Sequence, residues 1–312
     1  MNPPTQSKLA GVLPVFQTPF HERDESIDVD TLAREIDWLY ACGADGIVMA
    51  MVSEILRLST EERRTLAELA ARLGRERGAV VISVGAESAV LAEAFARHAQ
   101  DCGADAIMAI PPVSVALPED QLRLYYRRIA RSVSIPLIVQ DASGYVGRPM
   151  SIALQAQLLD EFGPDRILFK PEATPIAPRL KELRDATAGH AKIFEGTGGL
   201  ALLDTFPLGI VGTMPGADLI RPIVALWRAL IAGDQNRADR LASSLCAVLT
   251  NVTSLDAFLA VEKHLLLSQG IFRNTLVRGP IGYVLDEDTR REVDRHFDQL
   301  MQETERAASR AN

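Results

Sequence analysis

The stretch Ile167-Leu168-Phe169-Lys170-Pro171-Glu172-Ala173 sets an ammonium group at the end of three large apolar residues. A lysine in that setting is paired, exposed at a strand end, or held neutral for chemistry, because an isolated charge is too costly to bury. A neutral lysine amine attacks carbonyl carbon and forms a Schiff base. The competing reading is structural: an ion pair with Glu172 or Glu195 that keeps Lys170 charged. Glu172 lies two residues on, so in an extended strand it projects to the same side as Lys170, although Pro171 is able to turn it away.

Positioning such a lysine requires a framework, and the chain supplies a regular one. Eight short apolar runs recur along it: residues 11–16, 46–51, 79–85, 106–112, 135–140, 167–170, 192–196 and 209–214. They lack polar alternation, which fits strands of a parallel sheet covered by helices on its faces. Helical patterns lie between them, for example 28–43, 59–74 and 88–103. Ser59 with Glu62 reads as a capping box, and Gly43, Gly74 and Gly103 mark helix ends. Eightfold alternation of strand and helix predicts an α/β fold, a (β/α)8 TIM barrel, over residues 1–220. Residues 221–312 predict C-terminal helices packed on the barrel as part of one structural unit.

In such a barrel the working residues stand at the C-terminal ends of the strands and on the loops that follow. These positions hold Gln17 and Thr18, Ser53 and Glu54, Glu87 and Ser88, Ser114, then Gln140, Asp141, Ser143 and Tyr145, then Lys170 and Glu172, and finally Glu195 and Thr213. Metal catalysis is weakly supported, since the five histidines are scattered and no HxH or HExxH occurs. No metal site and no cofactor is expected. "GTGG" at 196–199 lacks the following lysine of a P-loop and reads as room for close backbone approach.

Composition narrows the partners. The 312 residues are 47% hydrophobic and 24% charged, ordinary for a globular chain with a substantial core. A net charge of −8 and a pI near 5.3 offer none of the basic excess that nucleic acid or anionic membranes require. Cys42, Cys102 and Cys246 form no CxxC pair, and buried thiols in a reducing cytoplasm are the expectation. With no apolar stretch long enough to span a bilayer, a cytoplasmic location is expected.

From "PVFQTPF" (14–20) through "LSTEER" (58–63), "CGADAIMAIPP" (102–112), "SIPLIVQD" (134–141), the lysine strand and "LGIVGTM" (208–214) to "LVRGPIG" (276–282), the chain resembles the dihydrodipicolinate synthase and N-acetylneuraminate lyase superfamily of Schiff-base aldolases and dehydratases. The resemblance implies that Lys170 condenses with the keto group of a 2-oxo acid, commonly pyruvate. It implies a small-molecule substrate and a homotetramer or homodimer. The departures are specific. "AMVSE" (50–54) keeps Glu54 but carries Met51 and Val52 where the family has threonines, Val113 and Ser114 replace a tyrosine pair, Gln140 replaces a strand-five tyrosine, and Tyr145 stands where synthase members carry an arginine.

With that relay gone, the proton-transfer candidates are Glu172, Tyr145, Ser114, Ser143, or a water held by Gln140. The substrate carboxylate is expected on backbone N–H groups of Met51, Val52 and Ser53, on the Ser53 hydroxyl and on Thr213. "QDA" (140–142) and "KPEA" (170–173) are similar to the sugar-acid branch, such as 2-keto-3-deoxy-L-arabonate dehydratase. The expected activity is a lyase, a dehydratase or aldolase acting on a 2-keto-3-deoxy sugar acid. The alternatives are a 4-hydroxy-tetrahydrodipicolinate synthase-like pyruvate aldolase and a barrel that binds a 2-oxo acid without turning it over.

Overall fold

The computed structural model describes residues 8–143 and 148–308. All eight apolar runs contain a parallel strand: β1 (Gly11–Val12), β2 (Gly46–Met49), β3 (Ala79–Ser83), β4 (Ala106–Ala109), β5 (Leu137–Gln140), β6 (Ile167–Lys170), β7 (Phe194–Glu195) and β8 (Gly212–Thr213). A helix follows each: α1 (Val29–Ala41), α2 (Thr60–Gly74), α3 (Ala89–Asp101), α4 (Glu119–Ser132), α5 (Ile152–Phe162), α6 (Ile176–Ala186), the single turn α7 (Leu202–Thr205) and α8 (Ile220–Ala232). Regular pairing runs β2-β3-β4-β5-β6 and β1-β8-β7. Single bridges from Val15 to Val48 and from Phe169 to Ile193 join the two sets, so the barrel closes. The first apolar run is interrupted as a ladder by Pro14, which has no N–H to give, yet it stays extended through Leu13 N–H to the Thr213 carbonyl (2.9 Å) and Val15 N–H to the Pro215 carbonyl (2.8 Å).

Strand alternation sorts side chains into two cores. Ile47, Met49, Val80, Ile82, Ile107, Leu137, Val139, Ile167 and Phe169 face the helices. Val48, Ala79, Val81, Ala106, Met108, Ile138 and Leu168 fill the barrel interior. Counting on by two from Ile138 and Leu168 brings Gln140 and Lys170 to the inner face, at the strand ends. Both strands are buried on both faces, which explains the absence of polar alternation in the sequence.

The helix signals are realised with one exception. Ser59 accepts the Glu62 N–H (3.2 Å) while the Glu62 side chain accepts the Ser59 N–H (2.9 Å), closing the capping box. Gly43 (φ +98°) and Gly103 (φ +90°) end α1 and α3 in the left-handed region. Gly74 does something else. It is the last residue of α2, and a Cβ there would come within 2.5 Å of Val80 Cγ2, so it serves the approach of the helix to β3.

Helix α8 packs on β1 and is the eighth barrel helix; α9 (Gln235–Leu249), α10 (Leu255–Ser268) and α11 (Glu287–Ala308) form the extension. Helix α10 is tied to the barrel mouth by Lys263, which is wholly buried. Its ammonium group donates to the Thr18 carbonyl (2.9 Å), the Leu276 carbonyl (2.6 Å) and the Glu54 carboxylate. Glu54 itself holds a left-handed backbone (φ +58°) and also accepts the Arg278 N–H (3.0 Å). Removing one member of such a buried pair strands the other charge. Lys263→Ala is therefore expected to lower unfolding free energy by about 3–5 kcal/mol in urea titration. No helix among the described residues is long and apolar enough to cross a membrane.

Candidate active site

At the C-terminal end of the barrel, Lys170 of β6 lies in register with Gln140 of β5. Both are buried, and Glu172, just past the strand end, is only 4% exposed. Lys170 donates to Glu172 Oε1, and Gln140 Nε2 donates to the same oxygen at 3.0 Å. Pro171 does not turn the glutamate away. Asp141 fixes it from behind, taking the Glu172 N–H on Oδ1 at 3.1 Å. Across the cavity Gly196 completes the fit: a Cβ there would stand 3.0 Å from Lys170 Cγ and 3.1 Å from Glu172 Cγ.

A narrow cavity lies above these groups. Its walls come from the β1 run (Val15), the turn after β2 (Ala50, Met51, Val52), the loop after β7 (Gly196, Gly198), the end of β8 (Met214, Pro215, Gly216) and Phe258 of α10. A wider, more open vestibule adjoins it and shares Glu172, Gly196 and Phe258. Three buried acceptors of the network, Gln140 Oε1, Asp141 Oδ2 and Glu172 Oε2, find no donor among the described residues. Unmatched acceptors of this kind cost about 1–3 kcal/mol each. Burial pushes the Glu172 carboxyl above its ordinary range, and the Lys170 charge opposes that rise without cancelling it. A carboxyl so poised exchanges protons more readily near neutral pH than an exposed glutamate does.

The other residues singled out from the sequence divide sharply. Met51 and Val52 line the cavity. Ser53, expected to reach the substrate with its hydroxyl, points elsewhere: the hydroxyl donates to the Phe16 carbonyl (2.5 Å) and accepts the Ala50 N–H (3.1 Å), bracing the turn that presents Met51 and Val52. Thr213 donates to Glu195 Oε2 at 2.7 Å. Glu195 in turn caps the Thr197 and Gly199 N–H groups, so it is not the partner of Lys170. Ser114 binds Glu87 at the exposed rim. Ser143 donates its N–H (3.1 Å) and hydroxyl (2.9 Å) to Asp141 Oδ1, supporting the carboxylate behind Glu172. Tyr145 lies outside the described residues. Gly216 and Phe258 were not anticipated; no strand-end rule points to a residue on α10. Among the described residues the one cluster of metal-ligand type, Glu68, His98 and Cys102, sits on α2, on α3 and at the residue that caps α3, outside the mouth.

The description "Dihydrodipicolinate synthetase family" matches residues 8–300. The chain belongs to the dihydrodipicolinate synthetase family. Among its relatives, an L-2-keto-3-deoxyarabonate dehydratase from Azospirillum brasilense is 31% identical over 229 residues, 70% of this chain and 72% of the relative. A 4-hydroxy-tetrahydrodipicolinate synthase from Ralstonia nicotianae is 28% identical over 79% of this chain and 83% of its own. In structure, YagE of E. coli K12, a prophage protein of the dihydrodipicolinic acid synthase family solved with pyruvate, superposes with a TM-score of 0.86 at 25% identity, covering 94% of this chain and 99% of that one. The chain is thus a class I Schiff-base lyase on a TIM barrel with a C-terminal helical extension.

This member of the dihydrodipicolinate synthetase family also buries a second pair of acids near the lysine cavity, Asp218 and Glu262. Burial raises the Asp218 carboxyl to about 7 and the Glu262 carboxyl well above its ordinary range. A folded-state pKa above the unfolded value of 3.8 means that the folded chain binds the proton more tightly, so this group costs stability as pH rises from about 4 to about 7. Asp218→Asn removes that cost. The variant is expected to gain on wild type progressively across this window, by at most about 4 kcal/mol at pH 7.5, with no gain below pH 4; urea midpoints at the two ends check it.

Proposed function

We propose that the chain is a hydro-lyase that removes water from a 2-keto-3-deoxy sugar acid through an iminium on Lys170. The observation that carries this reading is the buried set Lys170, Glu172 and Gln140, whose oxygens Gln140 Oε1 and Glu172 Oε2 lack donors. A hydroxyl-bearing substrate supplies those donors, and pyruvate alone does not. The Azospirillum brasilense relative, named a 2-keto-3-deoxy sugar acid dehydratase, supports the same class.

The Lys170 ammonium yields a proton, its amine adds to C2 of the 2-oxo acid, and the keto oxygen departs as water carrying that proton, which leaves an iminium that acidifies C3. Glu172, as carboxylate, removes the C3 proton to give an enamine. The enamine electron pair expels the C4 hydroxyl, which leaves as water with the proton that Glu172 returns, and the iminium is now conjugated with a C3–C4 double bond. Water attacks C2, frees the amine and restores the keto group. One water enters, two leave, and the net change is one dehydration. The substrate carboxylate rests against the turn at Met51 and Val52, where the first N–H groups of a short helical turn have no acceptors within it.

Dihydrodipicolinate synthesis is disfavoured by the side chains present. Val113 and Ser114 stand where the family has tyrosines, and Ser114 is held by Glu87. Aldol cleavage shares the enamine and differs only in the bond that breaks. Borohydride reduction with pyruvate tests the covalent step; a panel of 2-keto-3-deoxy acids assayed for water loss and for pyruvate release separates dehydration from cleavage. An adduct without turnover on any of them would instead favour a 2-oxo acid binding barrel.

A further inference from the structure

Outside the barrel, the helical layer brings together three side chains that take no part in the steps above. His98 stands in the last turn of α3, Cys102 caps that helix four residues on, and Glu68 reaches them from α2, which packs against α3. Residues four apart share a helix face, so the imidazole and the thiol lie side by side. Both are half-buried, whereas Glu68 is exposed and free to rotate. His98 is the one ion-pair partner of Glu68 among the described residues, and no lysine or arginine neutralises that carboxylate.

His98 Nε2 is the hub of the group. It lies 3.3 Å from Glu68 Oε1, 3.5 Å from Cys102 Sγ and 3.3 Å from the Arg64 carbonyl oxygen. A ring nitrogen carries at most one proton, so hydrogen bonding accounts well for one of these three contacts, and both contacts with oxygen are longer than the usual N–H···O distance of about 2.9–3.0 Å. A shared cation accounts for them together. Zinc binds imidazole nitrogen at about 2.0–2.1 Å, carboxylate oxygen at about 2.0–2.2 Å and thiolate sulfur at about 2.3 Å; in a tetrahedron the edges are then about 3.4 Å from N to O and about 3.6 Å from N to S. The observed separations match both edges. The remaining edge, Glu68 to Cys102, lies within 4.8 Å. Rotation of Glu68 closes it to the tetrahedral value of about 3.6 Å. The fourth corner is left to water or to the Arg64 carbonyl, which also stands at the N-to-O edge length.

We propose that Glu68, His98 and Cys102 form a zinc site that clasps α2 to α3 on the outside of the barrel. A thiolate with an imidazole selects zinc over magnesium and calcium, which take oxygen ligands. As the metal binds, Cys102 gives its proton to solvent and His98 binds as the neutral ring, so the ion pair with Glu68 is exchanged for two bonds to one cation. The role is structural. The ligands come from two helices that meet only in the folded chain, so zinc binds the folded state in preference and stabilises it by mass action. Nothing in this inference depends on the reaction at Lys170.

The test titrates zinc chloride into the full, reduced chain by calorimetry, alongside Glu68→Gln, His98→Gln and Cys102→Ser. Cys246→Ser serves as a control, because that thiol is exposed and lies apart on α9. Wild type and the control are expected to bind one zinc per chain, and each of the three variants to bind more than about tenfold more weakly, since even the outer contacts of a metal site are worth about 10–100-fold in affinity. Magnesium is expected to give no binding. Cobalt(II) gives a second readout: thiolate-to-cobalt charge-transfer absorption is expected in wild type and the control and its loss in Cys102→Ser. Zinc is also expected to raise the Tm of wild type and not that of His98→Gln or Cys102→Ser, whose far-ultraviolet circular dichroism shows whether they fold. No zinc bound by wild type, binding that persists unchanged in folded His98→Gln and Cys102→Ser, or binding lost only in Cys246→Ser overturns the site.

Discussion

Lys170→Ala is expected to abolish turnover to the detection limit and to leave no mass increment on the chain after borohydride reduction with pyruvate. The wild-type chain is expected to gain one reduced pyruvyl group on the peptide containing Lys170. Among the described residues no other group lining the cavity replaces the amine: Gln140, Glu172 and the backbone of the Met51–Ser53 turn include no nucleophile able to form an iminium. Lys170→Met, closer in volume, guards against misfolding as the cause and is expected to behave the same way. An adduct on a different lysine, or turnover within tenfold of wild type in either variant, would sink the covalent mechanism. The buried ion pair with Glu172 does not compete with this expectation, because condensation at one nitrogen only exchanges an ammonium for an iminium beside the same carboxylate.

Glu172→Gln separates the two roles open to that residue. As the group that carries the C3 proton, its loss is expected to lower kcat by about 10²–10⁴-fold while the pyruvate adduct still forms, since condensation precedes proton transfer. The pH profile adds a second readout. Burial raises the Glu172 carboxyl, and the base must be ionised to act, so the acid limb of kcat is expected to rise through a pKa above the ordinary glutamate range. That limb should vanish in the glutamine variant. If Glu172 were only a counter-ion, the limb would persist in the variant, kcat would fall less than about tenfold, and the main loss would be in the amount of adduct.

Much of this architecture is legible in the sequence. The eight apolar runs, the capping box of Ser59 and Glu62, and the left-handed glycines 43 and 103 depend on contacts within a few residues, and local contacts leave a periodic trace. Lys170 stood out for the same reason, as a charge that breaks a hydrophobic run. The hydroxyl residues are ambiguous in the sequence, because a serine or threonine at a strand end looks identical whether its O–H faces a ligand or a protein acceptor. Ser53 and Thr213 both turn toward protein acceptors, Phe16 and Glu195, that lie 37 and 18 residues away.

The sequence by itself determined the barrel, the strand that carries the lysine and the two-residue spacing that brings Glu172 beside it. Covalent neighbours and strand periodicity are enough for that. Only the tertiary structure decided which acceptors are left unmatched around the amine, that Glu195 serves the loop after β7 rather than Lys170, and that α10 delivers Phe258 and Glu262 to the same mouth. Those facts depend on groups distant in the chain meeting in a low-dielectric interior, where every donor given to one partner is withheld from another, and no local pattern of residues records that allocation.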